Sequence, residues 1–228
     1  MAFALEWDKS TEKIFETGCD RGVLWVNNQG VYGKGEVWNG LTGVTDSPSG
    51  AESTDLYADN GVYLSMTALE KYGLTIEAYM YPQSFAECNG ETQAAPGLHV
   101  TQQDRKLFAF SWRTLIGDDV AGDSKGYKIH IAYGCKAAPS EKAYSSKNDN
   151  PEAMTLSWEV TTTPVKMEGY KPMAKIVIDS LNCPKKALQA IEEKLYGTAS
   201  PGKIADTESK LLMPDDIKKL IEENPDAA

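Results

Sequence analysis

One stretch near the middle of the chain, LTIEAYMY at residues 74–81, alternates apolar and polar side chains with a period of two. This alternation predicts a β-strand with one face on the core, because successive side chains of a strand point to opposite faces. The predicted core face carries Leu74, Ile76, Ala78 and Met80, and the other face carries Thr75, Glu77, Tyr79 and Tyr81. Pro82 has no amide hydrogen to donate to a neighbouring strand, so the strand should end there.

Further strand-like runs follow this element at short intervals along the chain. Residues 83–88 can form about one helical turn, and Asn89-Gly90 then suits a reversal of the chain. In residues 108–112 three aromatic side chains share one strand face, and in residues 127–133 Tyr and Ile alternate with polar or small residues. We therefore expect a mainly β fold, with a sheet built largely by short-range reversals.

The size and charge of the chain narrow the classes of function. Its 228 residues suit one large β domain with extended loops, and 41% apolar residues is ordinary for a soluble globular protein. No apolar run approaches the roughly 20 residues that span a bilayer, and the first residues do not resemble a signal peptide, so we expect synthesis in the cytoplasm. The net charge of −10 is opposite in sign to that expected of a nucleic-acid-binding protein. This negative charge is better suited to a surface along which DNA slides than to a surface that binds DNA.

The chain divides by composition into three parts. Residues 1–16 are predicted to form an N-terminal arm, residues 17–197 a β domain, and residues 198–228 a linker with a short helix. Two long polar stretches, residues 40–54 and 136–151, are predicted to be loops. Asn60-Gly61 suits a hairpin turn.

Two helices are predicted near the C-terminus. One is opened by Asn182 and Pro184 and closed by Gly197, with an apolar face of Leu188, Ile191 and Leu195. The other spans residues 214–223, with acidic residues in its first turn. A helix of about ten residues is not stable alone, so it should dock either on its own domain or on a neighbouring molecule.

Patterns typical of catalysis or metal binding are weak throughout the sequence. His99 and His130 are predicted to lie within strands, and neither belongs to a metal-binding spacing. Residues 122–126 match GxSxG, but a loop is predicted before the serine where the nucleophile elbow needs a strand. The aspartates of GDDVAGDSKG do not fit the spacing of the EF-hand pattern. The stretch GVYGKGEVW lacks the Gly-Lys-Ser/Thr ending, and the helix after it, that a phosphate-binding loop requires. The four cysteines lie far apart, so we expect no zinc site and no disulfide framework. Because none of the catalytic or ligand-binding patterns is complete, we also expect no cofactor and no enzymatic activity.

Two stretches of the sequence resemble one known family. The stretch WNGLTGVTDSPSGAESTDLYADN at residues 38–60 runs on to TIEAYMYPQSFAECNG at residues 75–90. The second begins with QQDRKLFAFSWRTLIGDD at residues 102–119 and continues through GYKIHIAYGCKAAPSEKAYSSKNDNPEAMTLSWEVTTTPV to residue 165. Together they resemble the major tail proteins, or tail tube proteins, of long-tailed bacteriophages, over about residues 17–179. The two ends of the chain depart from the family pattern.

The resemblance implies a β-sandwich or half-barrel with a flanking α-helix and long assembly loops. Six copies would close into a ring with a continuous barrel, and stacked rings would form the virion tail tube, the conduit for DNA during ejection. The partners implied are other copies of the chain, the tape-measure protein, the tail-tip or baseplate proteins and the tail-terminator protein, with DNA only in passage and no membrane. The candidates for self-assembly loops are Leu41, Thr42, Val44, Asp46 and Pro48 in the first loop, and Ser140, Glu141, Lys142, Tyr144, Asn148 and Asp149 in the second.

Two questions stay open at the level of the sequence. The carboxylates proposed to face the lumen are Glu77, Asp118, Asp119, Asp123 and Glu159, but a solvated outer face suits each of them equally well. The alternative function is a monomeric β-sandwich binding module, for instance a carbohydrate binder. It would use exposed Trp38, Tyr57, Tyr79 and Tyr81 as stacking surfaces.

Overall fold

The computed structural model describes residues 7, 9, 12–146, 153–199 and 207–226. Strands account for 47% of the structure and helices for 13%, so the prediction of a mainly β fold is confirmed. In chain order the elements are β1 (Phe15–Asn28), β2 (Val31–Tyr32), β3 (Glu36–Trp38), β4 (Leu41–Asp46), β5 (Ser53–Ala58), β6 (Gly61–Thr67), β7 (Gly73–Ala78), α1 (Phe85–Cys88), β8 (Thr92–Ala95), β9 (Leu98–Val100), β10 (Phe108–Asp118), β11 (Gly122–Ala137), β12 (Leu156–Thr162), β13 (Lys175–Asp179), α2 (Lys185–Tyr196) and α3 (Pro214–Glu223).

Most strands belong to one antiparallel sheet in the order β2-β1-β10-β11-β12-β7-β4, with β3 also paired to β1 and β13 also paired to β11. The long strand β11 therefore has two partners on one side, β13 along residues 128–132 and β12 along residues 135–137. Gly134 lies between the two segments in a left-handed conformation, with φ of 57°. A side chain there would collide with the carbonyl oxygen of Thr163, so the position requires glycine.

The irregularity at Gly134 changes which face of β11 carries the apolar side chains. Before it, Ile131 and Tyr133 point to one face of the sheet, and after it Cys135 and Ala137 point to the other. An extra residue in one strand of an antiparallel pair has this effect, because it shifts the alternation by one. Strands β12, β7 and β4 can therefore fold back over β1, β10 and β11, although the sheet does not close into a barrel in the single chain.

The first apolar core lies between these two layers of strands. It contains the inward side chains of the 74–78 alternation, as predicted, together with the aromatic stripe of Phe108, Phe110 and Trp112. Trp38 packs at its centre, with ring centroids 4.5 Å from Phe85 and 5.6 Å from Trp158. Met80 is 65% exposed, contrary to the expected core face, because β7 ends two residues earlier at Ala78.

The second core lies on the opposite face of β1, β10 and β11 and is covered by α2 and α3. Helix α2 supplies the predicted apolar face of Leu188, Ile191 and Leu195, and Gly197 ends the helix with φ of 77°. Helix α3 has the predicted bounds and buries Ile217 and Leu220 in this core. The C-terminal helix thus docks on its own domain.

The segment before α3 is part of the same core, although its composition predicted a linker. Leu211 and Leu212 are 5% and 3% exposed. The hydroxyl of buried Tyr133 donates a hydrogen bond of 2.8 Å to the carbonyl oxygen of Leu212. Residues 200–206 of the predicted linker, and most of the predicted N-terminal arm, lie outside the described residues.

Candidate assembly surfaces

The prediction that residues 40–54 form a loop is wrong for residues 41–46. Leu41, Thr42, Val44 and Asp46 lie in β4, which pairs with β7 in the main sheet. Leu41 and Val44 pack against the first core, and Asp46 forms an ion pair with Lys175. The stretch contains turn-forming residues, but its pairing partner is about thirty residues further along the chain, and a local pattern does not contain that information. Among these candidates only Pro48 lies outside a strand.

The second predicted loop, residues 136–151, begins two residues later than predicted, because Lys136 and Ala137 end β11. From residue 138 to residue 146 it is irregular and largely exposed. It includes the candidates Ser140, Glu141, Lys142 and Tyr144, while Asn148 and Asp149 lie outside the described residues. Its first residues are anchored by Arg105, whose guanidinium donates to the carbonyl oxygens of Ala137 and Ala138 at 3.3 Å. This part of the chain agrees with the predicted loop.

Strands β5 and β6 form a separate two-stranded hairpin, which we name the hairpin arm (residues 53–67). Every residue of both strands is exposed. The turn residues Asp59 and Asn60 both have positive φ, 52° and 64°, as a two-residue hairpin turn requires. The sequence indicated the turn one residue later, at Asn60-Gly61. The alternation of Val62, Leu64 and Met66 after the turn is the local signal for the second strand of the arm.

The hairpin arm has an apolar face that no part of the described chain covers. Leu56 and Leu64 are directly opposed across the two strands, and Met66 follows on the same face. These three side chains are between 45% and 57% exposed, and Tyr57 and Tyr63 nearer the turn are 72% and 76% exposed. A two-stranded hairpin is at best marginally stable alone in water, and clustered exposed apolar side chains mark interaction surfaces. The arm is therefore suited to burial against another molecule.

A groove of about 550 Å³ lies between the 138–146 loop and the segment that follows β7. Leu156 and Trp158 contribute to its floor, and Tyr81 lines one wall. The ammonium group of Lys142 lies 5.9 Å from the ring centre of Tyr81 and 5.4 Å from that of Tyr144, within the range of cation–π contacts. The groove thus combines aromatic surface with a cation near the rim.

Four strands at one end of the main sheet form a unit with an unpaired edge on each side. Residues 15–20 of β1 pair with β10, β10 pairs with β11, and β11 pairs with β13, each time antiparallel. Within the described residues no other strand pairs with the outer edge of β13 or with that part of β1. Three reversals separate β1 from β13, so the two outer strands run in opposite directions. Such open edges offer backbone groups for pairing with another chain.

The five carboxylates proposed to face a lumen fall into two separate groups. Glu77 and Glu159 lie on neighbouring strands β7 and β12, pointing away from the first core. Asp118, Asp119 and Asp123 lie at the turn between β10 and β11. The two groups lie towards opposite ends of β11, because β12 pairs with residues 135–137 of this strand and the turn precedes its first residue.

The Asp118 carboxylate holds the β10–β11 turn together. It accepts hydrogen bonds from the backbone amides of Val120 and Ala121 at 2.9 and 2.5 Å and forms an ion pair with Lys125 at 2.9 Å. The amide of Ala121 and the Lys125 ammonium lower the pKa of Asp118 to about 2. Asp119 and Asp123 are exposed in the same turn.

A polar cluster closes the end of the first core beside β13. His130 is 7% exposed, stacks on Trp112 with ring centroids 5.0 Å apart, and places its Nε2 2.9 Å from the Thr114 hydroxyl. The Lys175 ammonium pairs with Asp46 and lies over the Trp112 ring. Burial, and next the charge of Lys175, lower the pKa of His130 to about 4. His130 is therefore neutral at physiological pH.

The remaining groups with potential chemistry have structural surroundings. Burial raises the pKa of the Cys88 thiol to about 12, so this thiol is not an activated nucleophile. Ser124 donates its hydroxyl to the carbonyl oxygen of Ala121 within the β10–β11 turn, which is not a strand-to-helix elbow. In the part of the chain that the structure describes, no group of His, Cys, Asp and Glu side chains is arranged to hold a metal ion.

The four aromatic residues of the alternative binding module do not share one surface. Trp38 is 2% exposed, contrary to the expectation, because its ring packs in the first core and its indole N–H donates to the carbonyl oxygen of Met80. Tyr57 lies on the hairpin arm, Tyr79 is 53% exposed beyond the end of β7, and Tyr81 lines the groove.

A search of protein-family models and of curated proteins gave no match to this chain. None of the helices within the described ranges is long and apolar enough to cross a membrane.

Proposed function

We propose that this chain is a structural subunit that assembles into stacked rings and forms the tail tube of a long-tailed bacteriophage. The observation that carries the proposal is the four-stranded unit with two open edges that run in opposite directions. Copies related by rotation about an axis along the strands would place β13 of one copy beside β1 of the next in antiparallel orientation. The sheet could then continue from copy to copy until a ring closes, which pairs the open edges of β1 and β13.

The dimensions of such a ring suit a conduit for DNA. With the six copies that the resemblance implies, four strands each at a spacing of ~4.8 Å and a tilt of ~40° give a barrel of roughly 48 Å in backbone diameter. At the level of the four-stranded unit, where a single layer of strands would line the ring, this leaves room for a duplex after side chains are added. A single subunit has a radius of gyration of roughly 17 Å and cannot enclose one.

The arrangement of layers supports an assignment of the two faces of the tube. Helices α2 and α3 cover one face of β1, β10 and β11, and strands β12, β7 and β4 lie on the opposite side. If the helices lie outside, the free face of the β12-β7-β4 layer is directed towards the lumen, and this face carries Glu77 and Glu159. Negative charges there would let the DNA polyanion slide without binding.

Specific contacts between copies need more than the sheet edges, because stable protein interfaces bury more than about 1,000 Å². The hairpin arm and the 138–146 loop are the exposed segments available for additional contacts. By the resemblance, the assembled tube would enclose the tape-measure protein, contact tail-tip and terminator proteins at its ends, and be located in the virion tail after synthesis in the bacterial cytoplasm.

A proline substitution at the open edge tests the proposal. The amide of Ser180 donates to the carbonyl oxygen of Tyr127, and the amide of Tyr133 donates to the carbonyl oxygen of Ala174, so Ala174 and Ser180 direct their backbone groups towards β11. Because this direction alternates along an antiparallel strand, the amide of Val177 points away from β11. Val177→Pro should remove one outward donor while keeping the ladder to β11. We expect the wild-type protein to form rings or tubes by light scattering and negative-stain imaging, and the variant to remain monomeric.

Val177→Thr, which keeps the amide, is the matched control and should assemble normally. Unchanged thermal unfolding of the proline variant as a monomer would show that the fold is intact. A wild-type protein that stays monomeric at every concentration, even with tail-tip complexes added as seeds, would contradict the proposal and favour the binding module.

A further inference from the structure

The hairpin arm and the groove lie at opposite ends of strand β7. The arm is joined through residues 68–72 to the start of β7, where the amide of Ser47 donates to the carbonyl oxygen of Gly73. The groove lies beyond the other end, where Leu156 of β12 is paired with Ala78, the last residue of β7. The two ends of the strand are roughly 17 Å apart. None of the groove residues belongs to the arm, so within one subunit the arm does not fill the groove.

The chemistry of the arm matches that of the groove. Between residues 51 and 67 the chain carries Glu52, Asp55 and Asp59 but no lysine or arginine. Asp59 lies in the turn at the end of the arm, with the exposed rings of Tyr57 and Tyr63 close behind it along the chain. An acidic and aromatic tip thus faces solvent, and its complement is a cationic and aromatic surface.

The groove supplies that surface through Lys142 and its aromatic neighbours. Within the described residues no carboxylate forms an ion pair with Lys142, whose ammonium lies over the rings of Tyr81 and Tyr144. Two carboxylates also line the groove. Glu91 accepts hydrogen bonds from the side chains of Tyr81 and Asn89, and Glu141 is exposed on the same loop as Lys142. The other cation of the groove, Arg105, already donates to the carbonyl oxygens of Ala137 and Ala138 and to the side-chain oxygen of Asn89. Lys142 is therefore the group best placed to receive an anion.

We propose that the tip of the hairpin arm docks in the groove of a second copy of this chain, with Asp59 beside Lys142 and a tyrosine of the tip against the aromatic surface. The proposal rests on the self-assembly proposed above and names the surface that receives the arm. Because donor and receptor lie at opposite ends of β7, the contact is head-to-tail. In a row of copies joined in this way, the copy at one end has a free arm and the copy at the other end has a free groove. Further copies can therefore add at both ends, and the assembly grows. It would join successive rings along the tube.

A charge exchange tests the docking directly. Asp59→Lys and Lys142→Glu each place like charges at the proposed contact, and each should raise the concentration needed for tube formation by about tenfold or more. The double variant restores opposite charges and should polymerise within about threefold of the wild-type concentration. The readouts are light scattering against concentration and negative-stain imaging, with rings expected where tubes are lost.

Asp55→Lys combined with Lys142→Glu is the mismatched control, because Asp55 lies nearer the root of the same arm. This pair should stay defective. Circular dichroism melting of each variant should match the wild type for the main domain, since all three positions are exposed. Because Asp59 has positive φ, Asp59→Asn, which suits that conformation and removes the charge, separates the loss of charge from strain in the turn. High salt should reduce the defects of the single variants.

Failure of the docking and failure of the assembly give different results. Single variants that polymerise like the wild type, or a double variant no better than the singles, would overturn the docking while leaving ring assembly intact. Deleting residues 140–150 removes Lys142 and one wall of the groove, and should leave a folded protein that forms no tubes. Normal tubes from this deletion variant would also overturn the docking.

Discussion

Replacing His130 with glutamine should make the stability of the fold less dependent on pH between neutral and acid conditions. The imidazole is buried against Trp112, with Lys175 and Lys128 as neighbouring cations and Glu16 and Asp46 as neighbouring carboxylates. Desolvation and the lysine charges together lower the pKa of His130 to about 4, against about 6.5 for an exposed histidine. Proton uptake is therefore weaker in the folded state than in the unfolded state.

The sign and size of the effect follow from this difference in pKa. Above about pH 6.5 neither state binds a proton at His130, so the group has no pH-dependent effect there. As the pH falls from about 6.5 to about 4, only the unfolded state takes up the proton, and folding loses stability. A difference of about 2.5 pKa units corresponds to roughly 3 kcal/mol. Below about pH 4 both states are protonated and the loss from this group is complete.

The assay is urea unfolding of the monomer, followed by tryptophan fluorescence, at a series of pH values from 7.5 to 4. At pH 7.5 the His130→Gln variant should be less stable by about 1 kcal/mol, since the stacking on Trp112 is lost. At pH 4 the wild type should have lost roughly 3 kcal/mol more than the variant, so the order of stability reverses. His99→Gln makes the same replacement on an exposed strand residue and controls for loss of an imidazole as such. Parallel pH profiles for the wild type and His130→Gln would refute the reasoning.

Three further substitutions test the packing and the proposed lumen. Gly134→Ala should destabilise the monomer by about 2–3 kcal/mol in urea unfolding, because φ is 57° and the adjacent carbonyl oxygen leaves no room for a side chain. The control Gly61→Ala, which has open space around it, should destabilise the monomer by under about 1 kcal/mol. Leu212→Ala should cost about 2–5 kcal/mol, as expected of a core position and not of a linker; a loss below about 0.5 kcal/mol would contradict its burial. Replacing Glu77 and Glu159 with lysine should leave tubes intact but slow DNA ejection from particles that carry them, and unchanged ejection would place both residues outside the lumen.

The elements that the sequence predicted well are those whose signal is local. The alternation through Leu74, Ile76 and Ala78 gives the core face of β7 directly, because the period of a strand is fixed at two residues. The apolar spacing of α2, with Gly197 after it, and the acidic first turn of α3 likewise identify both helices. Each of these signals lies within a window of about ten residues.

The features that were missed depend on contacts between distant parts of the chain. Strand β4 was predicted as a loop because its glycine and threonine content resembles turns, while its place in the sheet comes from pairing with β7. Leu211 and Leu212 look like part of a linker until the carbonyl of Leu212 meets Tyr133 of β11. The alternative binding module required Trp38 on the surface, whereas this side chain fills the centre of the first core.

The candidate assembly surfaces likewise combine features that the local sequence predicts with features that depend on the tertiary structure. The polar 138–146 loop, the acidic charge of the chain and the turn at the end of the hairpin arm can all be recognised from the sequence alone, since composition and turn residues act locally. The open edges of β1 and β13, the exposure of the arm on both faces, and the placement of arm and groove at opposite ends of β7 follow only from the tertiary structure. Strand order and packing determine these features, because they bring together residues that are distant in the sequence, and the sequence around each residue does not identify its contact partner.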